Sequence, residues 1–273
     1  MNSTNDVIVF VCVNYNGYKE TEKYILNIQS LKTDKKLFII VVDNSNKDHD
    51  FKYLNNLIRI NNIENNTFVL KTKNEGYFQG LNKGIAFVQE NNINPLYYII
   101  GNNDLTFPED FISNLSKIKT EYNELIIVPD VITNDGSHEN PHIKNRISSF
   151  KKLSYDIYYS NFYIAKFINI FYKTNLRKSK SFDPKRQEVC QGIGAIYIMT
   201  QSFFKYFDRL WEKVFLYCEE AILSAQVKSV GGKIIYDPLL KCFHNESATT
   251  SKIHKKEKYD IYRKSYFIAR KYL

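Results

Sequence analysis

The sequence predicts an α/β protein, a doubly wound and mostly parallel sheet with helices on both faces, and three observations predict it. Short β-branched and aromatic runs, at 7–13, 37–42, 67–70 and 96–100, alternate with segments of helical periodicity. Each of the four runs is followed by a small polar cluster, which is what strands show when their carboxyl ends border a binding crevice. The 273 residues include 44% hydrophobic ones and no Gly/Ser- or Pro-rich linker, so one domain of two lobes is the default organisation.

The elements follow in order. The first strand, VIVFVCV, leads into a helix whose apolar stripe is Tyr24, Ile28 and Leu31; a later helix repeats the spacing with Leu81, Ile85 and Val88. Pro108 is a favoured first-turn residue for a helix ahead of a fifth apolar run, Leu125 to Val128. The first lobe is therefore assigned to residues 1–130. Beyond it, TNDGSHENPH opens a basic, aromatic insertion over 131–188, including Tyr155, Tyr158, Tyr159, Phe162, Tyr163 and Phe167, where helices and a lid are expected. A glycine-containing strand from Gln191 to Thr200, a helix from near Glu219 to near Gly231 and a strand from Lys233 to Tyr236 make a second, smaller lobe over 189–250. These parts form one domain, 1–250. Residues 251–273 alternate Tyr, Phe and Ile with Lys and Arg in helical fashion and predict a basic amphipathic C-terminal helix.

Charge is uneven. Of the net +9, residues 144–187 hold eleven Lys/Arg against two Asp/Glu and residues 251–273 hold eight against two, so the rest of the chain is net acidic. Basic flanks on an acidic body fit an anionic membrane surface, and no nucleic-acid partner is called for. The amino terminus lacks a basic n-region and no segment approaches the ~18 apolar residues of a membrane span, which predicts a cytoplasmic protein, peripheral on the inner face of the membrane. Cys12, Cys190, Cys218 and Cys242 have no metal-type spacing and read as reduced thiols, mostly buried.

The candidate site residues stand at the strand ends: Asn14-Tyr15-Asn16-Gly17, Asp43-Asn44-Ser45, Asn74-Glu75-Gly76 and Asn102-Asn103-Asp104. Any one of these is an ordinary turn; four together describe a site. Neither GxGxxG nor GxxxxGK[ST] is present, so phosphates must be held another way. A divalent cation on a carboxylate is one way, and Asp104, directly after a strand, is placed for it. His244, after the last strand, is a candidate second ligand. Glu219 and Glu220 open a helix behind the apolar approach FLYC, which would half-bury a carboxylate and raise its pKa toward that of a general base. Adjacent helical residues diverge, so the two need separate roles. Trp211, the only tryptophan, is either a sugar-stacking platform or core.

In combination and order these motifs resemble the family 2 glycosyltransferases of GT-A fold, in particular a bacterial branch of rhamnosyl- and galactofuranosyl-transferase-like proteins. VCVNYNG, VVDNSN, NEGYFQGLNKGI, GNNDLTF, GIGAIYIM, FLYCEEAIL and FHNES are similar, in turn, to the family's first strand and turn, its base- or ribose-contacting Asp, its donor-side helix, its DxD segment, its strand under the donor sugar, its ED motif and its H-x-x-x-S element. The resemblance implies an inverting transfer from a nucleoside-diphosphate sugar to a hydroxyl of a glycan or lipid-linked glycan in polysaccharide or glycolipid assembly. It assigns donor contacts to Asn14, Tyr15, Asn16, Asp43, Asn74, Gly76, Asn82 and Asn103, a Mn²⁺ or Mg²⁺ to Asp104 and His244, the base to Glu220, and acceptor contacts to Glu219 and Trp211. Asn102 stands where the family has the first Asp of DxD, Glu220 where it usually has Asp, and Ile222 where many relatives have another Asp. A non-catalytic sugar-nucleotide- or glycan-binding protein of the same fold is the alternative; a pyrophosphorylase would need a glycine-rich loop where the chain has NYNGY.

Overall fold

The computed structural model describes residues 7–172, 180–245 and 254–273. Four strands, β1 (Val7–Asn14), β2 (Lys36–Asp43), β3 (Thr67–Lys71) and β4 (Tyr97–Asn102), alternate with α1 (Tyr18–Gln29), α2 (His49–Ile60) and α3 (Tyr77–Glu90). They pair in parallel in the order β3-β2-β1-β4. Alternate residues of β1 feed opposite layers: Ile8, Phe10 and Cys12 pack with Tyr24, Ile25 and Ile28 of α1, while Val9 and Val11 pack with Leu81, Ile85 and Val88 of α3. Both faces are covered, which is why β1 reads as a continuous apolar run rather than an alternating one. Helix α3 lies unusually close, since a Cβ on Gly84 would come within 2.3 Å of Val11 Cγ1.

The sheet continues beyond β4 through strands of mixed direction. β5 (Leu105–Thr106), α4 (Phe111–Lys117), β6 (Glu124–Thr133), α5 (Ser149–Ser160), α6 (Phe162–Tyr172), β7 (Gln187–Val189), β8 (Ile196–Thr200), α7 (Glu219–Lys228), β9 (Lys233–His244) and α8 (Lys255–Ala269) follow in the chain. The spatial order is β4-β8-β6-β9-β5, with β7 paired to β9. β8 runs antiparallel to both β4 and β6, while β6 and β9 are parallel. A third, smaller core joins Ala221 and Ile222 of α7 to Tyr266 and Ala269 of α8.

Several expectations are refined here. β9 runs on to His244 rather than ending at Tyr236, because a register shift opposite Pro129 and Asp130 carries it past Pro238. Helix α4 starts at Phe111, three residues after Pro108. The insertion folds as two helices, α5 and α6; residues 173–179, part of the expected lid, lie outside the described residues, as do Glu246, Ser247 and the start of the C-terminal segment at 251–253. Helix α8 does form, but Tyr259, Ser265, Tyr266 and Ala269 are buried, so its aromatic side packs on the protein instead of facing outward. Cys218 sits in a turn and is only partly buried; the other three thiols are buried, and all four are free. Among the described residues, no helix is long and apolar enough to cross a membrane.

Candidate active site

The carboxyl ends of β1, β2 and β4 are knitted together by Asn14, which is fully buried. Its Nδ2 donates to Asp43 Oδ1 at 2.8 Å, Ser45 Oγ at 3.1 Å and Asp50 Oδ2 at 3.1 Å, and its Oδ1 accepts from Thr21 Oγ1 at 2.9 Å and from Asn103 Nδ2 at 3.3 Å. The Lys71 ammonium, 3.0 Å from Asp43 Oδ2, balances the buried carboxylate. This network fixes the rim. Tyr15, whose hydroxyl accepts from Asn46, and Asn16, exposed with a left-handed φ of 53°, sit on it. Asn74 is also exposed.

Next to this rim, the antiparallel pairing of β5 with β9 sets His244 opposite Leu105, one residue from Asp104. His244 Nε2 is 3.4 Å from Asp104 Oδ1 and 3.3 Å from Asn102 Nδ2, and Nδ1 is 2.9 Å from Glu139 Oε2. Burial alone would lower the imidazole's pKa, but hydrogen bonds and charge from Asp104 and Glu139 outweigh it and hold it up at about 10. With no cation bound, the two carboxylates thus keep a proton on His244, and a metal ion would have to displace that proton to be ligated by the ring. Among the described residues no three His, Cys, Asp or Glu side chains are grouped to hold an ion by themselves. Two ligands, one hard oxygen and one imidazole nitrogen, with a carboxylate orienting the far side of the ring, nonetheless fit a divalent cation that takes its remaining ligands from phosphates and water.

Across from this pair stands the turn Phe215–Cys218 and the start of α7. Tyr217 and Cys218 both adopt left-handed φ, 70° and 67°, a costly conformation for side-chain-bearing residues. Three contacts hold it: Tyr77 N–H donates to the Phe215 carbonyl at 2.9 Å, Ser265 Oγ donates to the Leu216 carbonyl at 2.6 Å, and the Tyr217 ring stacks on Tyr262 of α8 with centroids 3.6 Å apart. Gly76 is required here, because its φ is +129° and a Cβ would lie 2.8 Å from the Phe215 oxygen. The turn aims Glu220 at the approach to β8, where a Cβ on Gly194 would be 2.7 Å from Glu220 Oε1.

Both glutamates have raised pKa values, chiefly from burial. Glu219 is pushed to about 8, with the neighbouring Glu220 as second cause, while Glu139 adds to the rise at Glu220. A helix amino terminus favours carboxylates by only about 0.3–1 kcal/mol at exposed positions, so desolvation wins. Glu219 Oε1 has no hydrogen-bond partner among the described residues. The half-buried Glu220 accepts from the Gly194 backbone.

Tyr77 joins the two halves of the site. Its hydroxyl donates to Asn102 Oδ1 at 2.8 Å and lies 3.2 Å from the Gly194 carbonyl oxygen, so contacts run from Glu220 through Gly194, Tyr77 and Asn102 to His244 and Asp104. Tyr77 and Glu139 escaped the sequence reading. Glu139 lies in a polar stretch without periodicity, which is folded back along the end of β6 by a bridge between Ile132 and His138 and by the Glu139 N–H donating to the Val131 carbonyl at 2.8 Å.

Asn14 is fully buried, and its side-chain amide is committed to the network of the rim. The Asn82 amide is taken by Leu210 and Glu212, tying α3 to the chain ahead of α7. Asp43, fully buried, is a partner of Asn14 and Lys71. Asn103 Nδ2 reaches Thr21 Oγ1 at 2.7 Å and stays half-buried at the crevice. Glu219, 4% exposed, turns inward, and the acceptor contact expected of it is not offered in this conformation. Trp211 packs on Phe207 and Tyr272, the core alternative.

Comparison with known proteins identifies the family and the fold. A family model described as "Glycosyl transferase family 2" matches residues 8–210. No curated protein sequence matches the chain. Among solved structures, GalNAc-T7 with UDP, GalNAc and Mn²⁺ superposes with a TM-score of 0.60 at 14% identity, covering 90% of this chain and 44% of that one. The mannosyltransferase PcManGT from Pyrobaculum calidifontis, with GDP-Man and Mn²⁺, gives 0.55 at 15% identity, covering 89% and 58%. S. aureus TarS 1–349 gives 0.52 at 13%, covering 88% and 60%. The chain therefore spans about half the length of these structures and shares their GT-A fold.

Proposed function

The chain belongs to glycosyl transferase family 2, and from that premise we propose that it is an inverting glycosyltransferase, moving a sugar from a nucleoside-diphosphate donor to an acceptor hydroxyl in one displacement. The observation that carries the reading is the continuous set of contacts between a carboxylate with a raised pKa, Glu220, and the candidate ligand pair Asp104 and His244. Glu220 takes the proton from the acceptor hydroxyl as that oxygen attacks the anomeric carbon from the face opposite the diphosphate. Asp104 and His244 would hold a Mn²⁺ or Mg²⁺, with Glu139 fixing the imidazole. Such an ion would supply charge neutralisation for the departing diphosphate. Tyr15, Asn16, Asn74, Gly76 and Asn103 line the donor's side of the crevice, over the rim that Asn14 and Asp43 stiffen.

A hexosyl or deoxyhexosyl donor and a glycan or lipid-linked glycan acceptor, in bacterial polysaccharide or glycolipid assembly, complete the proposal; the motif order favours the rhamnosyl- and galactofuranosyl-transferase-like branch. The test is a panel of nucleotide sugars incubated with Mn²⁺, with Mg²⁺ and with EDTA, reading nucleotide release and, by NMR, the anomeric configuration of any product. Metal-dependent release with inverted product is expected. Retained configuration would overturn the single displacement, and donor binding without turnover of any donor would favour a binding protein instead.

A further inference from the structure

Helices α5 and α6 carry, among the described residues, an apolar surface that stays exposed. Phe150, Leu153 and Ile157 recur along one side of α5, and Tyr163, Phe167 and Ile170 along one side of α6; Phe150 is 78% and Phe167 62% exposed. The opposite sides of the helices are occupied. Tyr155 and Tyr159 lie against Tyr266 of α8, Tyr158 and Phe162 against Tyr259, and Asn169 bonds the Tyr158 hydroxyl at 3.0 Å. The hairpin is therefore anchored by one face and presents the other. Contiguous apolar patches of this kind on a folded surface mark an interaction site.

Charge decides the partner. Within the two helices the one acidic residue is Asp156, and its carboxylate is paired with Arg270 and bonded by Tyr266 on the inward side. Lys166 is exposed beside the α6 stripe, Lys151 is exposed on α5 with its ammonium over the Tyr155 ring, and residues 144–187 as a whole carry eleven basic against two acidic residues. Pairing two copies through this face would set like charges against each other, whereas an anionic bilayer complements both the stripes and the lysines. With 12 and 11 residues, neither helix can span a bilayer, so each would lie in its surface.

We infer that the α5–α6 hairpin is an interfacial membrane anchor, its apolar face entering the headgroup layer of an anionic bilayer while its lysines meet lipid phosphates. The membrane contact expected of both basic segments is thereby assigned to the hairpin alone, since the aromatic side of α8 is buried. Helix α8 also holds the Phe215–Cys218 turn through Tyr262 and Ser265, so the anchor stands one helix away from the candidate base. Helices pack about 8–10 Å apart, which brings an acceptor held in the membrane surface close to the crevice.

Co-sedimentation with phosphatidylcholine vesicles, with and without phosphatidylglycerol, tests the anchor without relying on sugar transfer. Tighter binding to the anionic vesicles by about tenfold or more is expected, weakening with salt. The triple variant Phe150→Ser, Phe167→Ser, Ile170→Ser should lose about tenfold or more of that binding with an unchanged melting temperature. Phe167→Trp supplies a second readout, because its emission should shift to the blue on anionic vesicles against the background of Trp211. Absence of binding to either vesicle, an unaltered triple variant, or no shift at Phe167→Trp would overturn the anchor. So would a wild-type dimer in ultracentrifugation that the triple variant converts to monomer.

Discussion

At the scale of single residues, the chemistry rests on how two adjacent glutamates diverge. Glu220 faces the Gly194 backbone and Glu219 turns under the turn that precedes it, so exchanging each for its amide separates base from support. Glu220→Gln should keep nucleotide affinity, measured by calorimetry, and lose about 10²–10⁴-fold in kcat, since an amide cannot accept the acceptor's proton. Glu219→Gln should stay within about tenfold of wild type. Both carboxyls bind protons more tightly in the folded than in the unfolded chain, so stability conferred by the protonated forms is complete below the ordinary 4.5 and declines as pH rises, for Glu219 through about 8. Melting temperatures measured across that window should fall with pH in the wild type, and Glu219→Gln should flatten part of the fall. Activity runs the other way, rising with pH as Glu220 ionises. Glu220, Asp104 and His244, the proposed base and ligands, stand out in the sequence because each follows a recognisable apolar run. Glu139 was not, because its importance comes from where a loop returns, which local sequence does not encode.

At the scale of elements, α8 acts as a brace. Two consecutive left-handed residues cost on the order of 1–3 kcal/mol each and persist only where neighbours hold them. Tyr262→Ala should therefore lower kcat more than donor affinity, while Tyr262→Phe, which keeps the stacked ring, should restore kcat. Equal losses in kcat and donor affinity with Tyr262→Ala would argue against bracing. Gly76→Ala forces a side chain both into a left-handed φ and against the Phe215 oxygen, so destabilisation by about 1 kcal/mol or more is expected in denaturant titration. The four parallel strands and their helices could be read from the chain because each buried run is continuous and bounded. β5 and β7, two and three residues long, lack enough pattern to be seen. The far half of β9 was hidden behind Asp237-Pro238, which reads as a break and is crossed by the register shift opposite β6.

At the scale of the whole molecule, the two candidate ligands come from distant parts of one sheet and meet only when β5 pairs with β9. Two protein ligands make a weak site, so Mn²⁺ should bind poorly in calorimetry on its own and tightly once a nucleoside diphosphate is present, and Asp104→Ala should abolish that synergy. EDTA should stop transfer. The sheet order also has a consequence in time. Among the described residues β6 finds its partner strands only in β8 and β9, both later in the chain, whereas β1 to β4 pair with one another before β8 joins β4. From the end of β6 at Thr133 to the start of β8 at Ile196 the ribosome adds 63 residues (196 − 133), which takes about 3–13 s at typical rates of synthesis. For that interval a nascent strand whose residues are nearly all destined for the interior has no partner strand. Pulsed proteolysis during refolding should therefore show the segment around β6 gaining protection after β1 to β4.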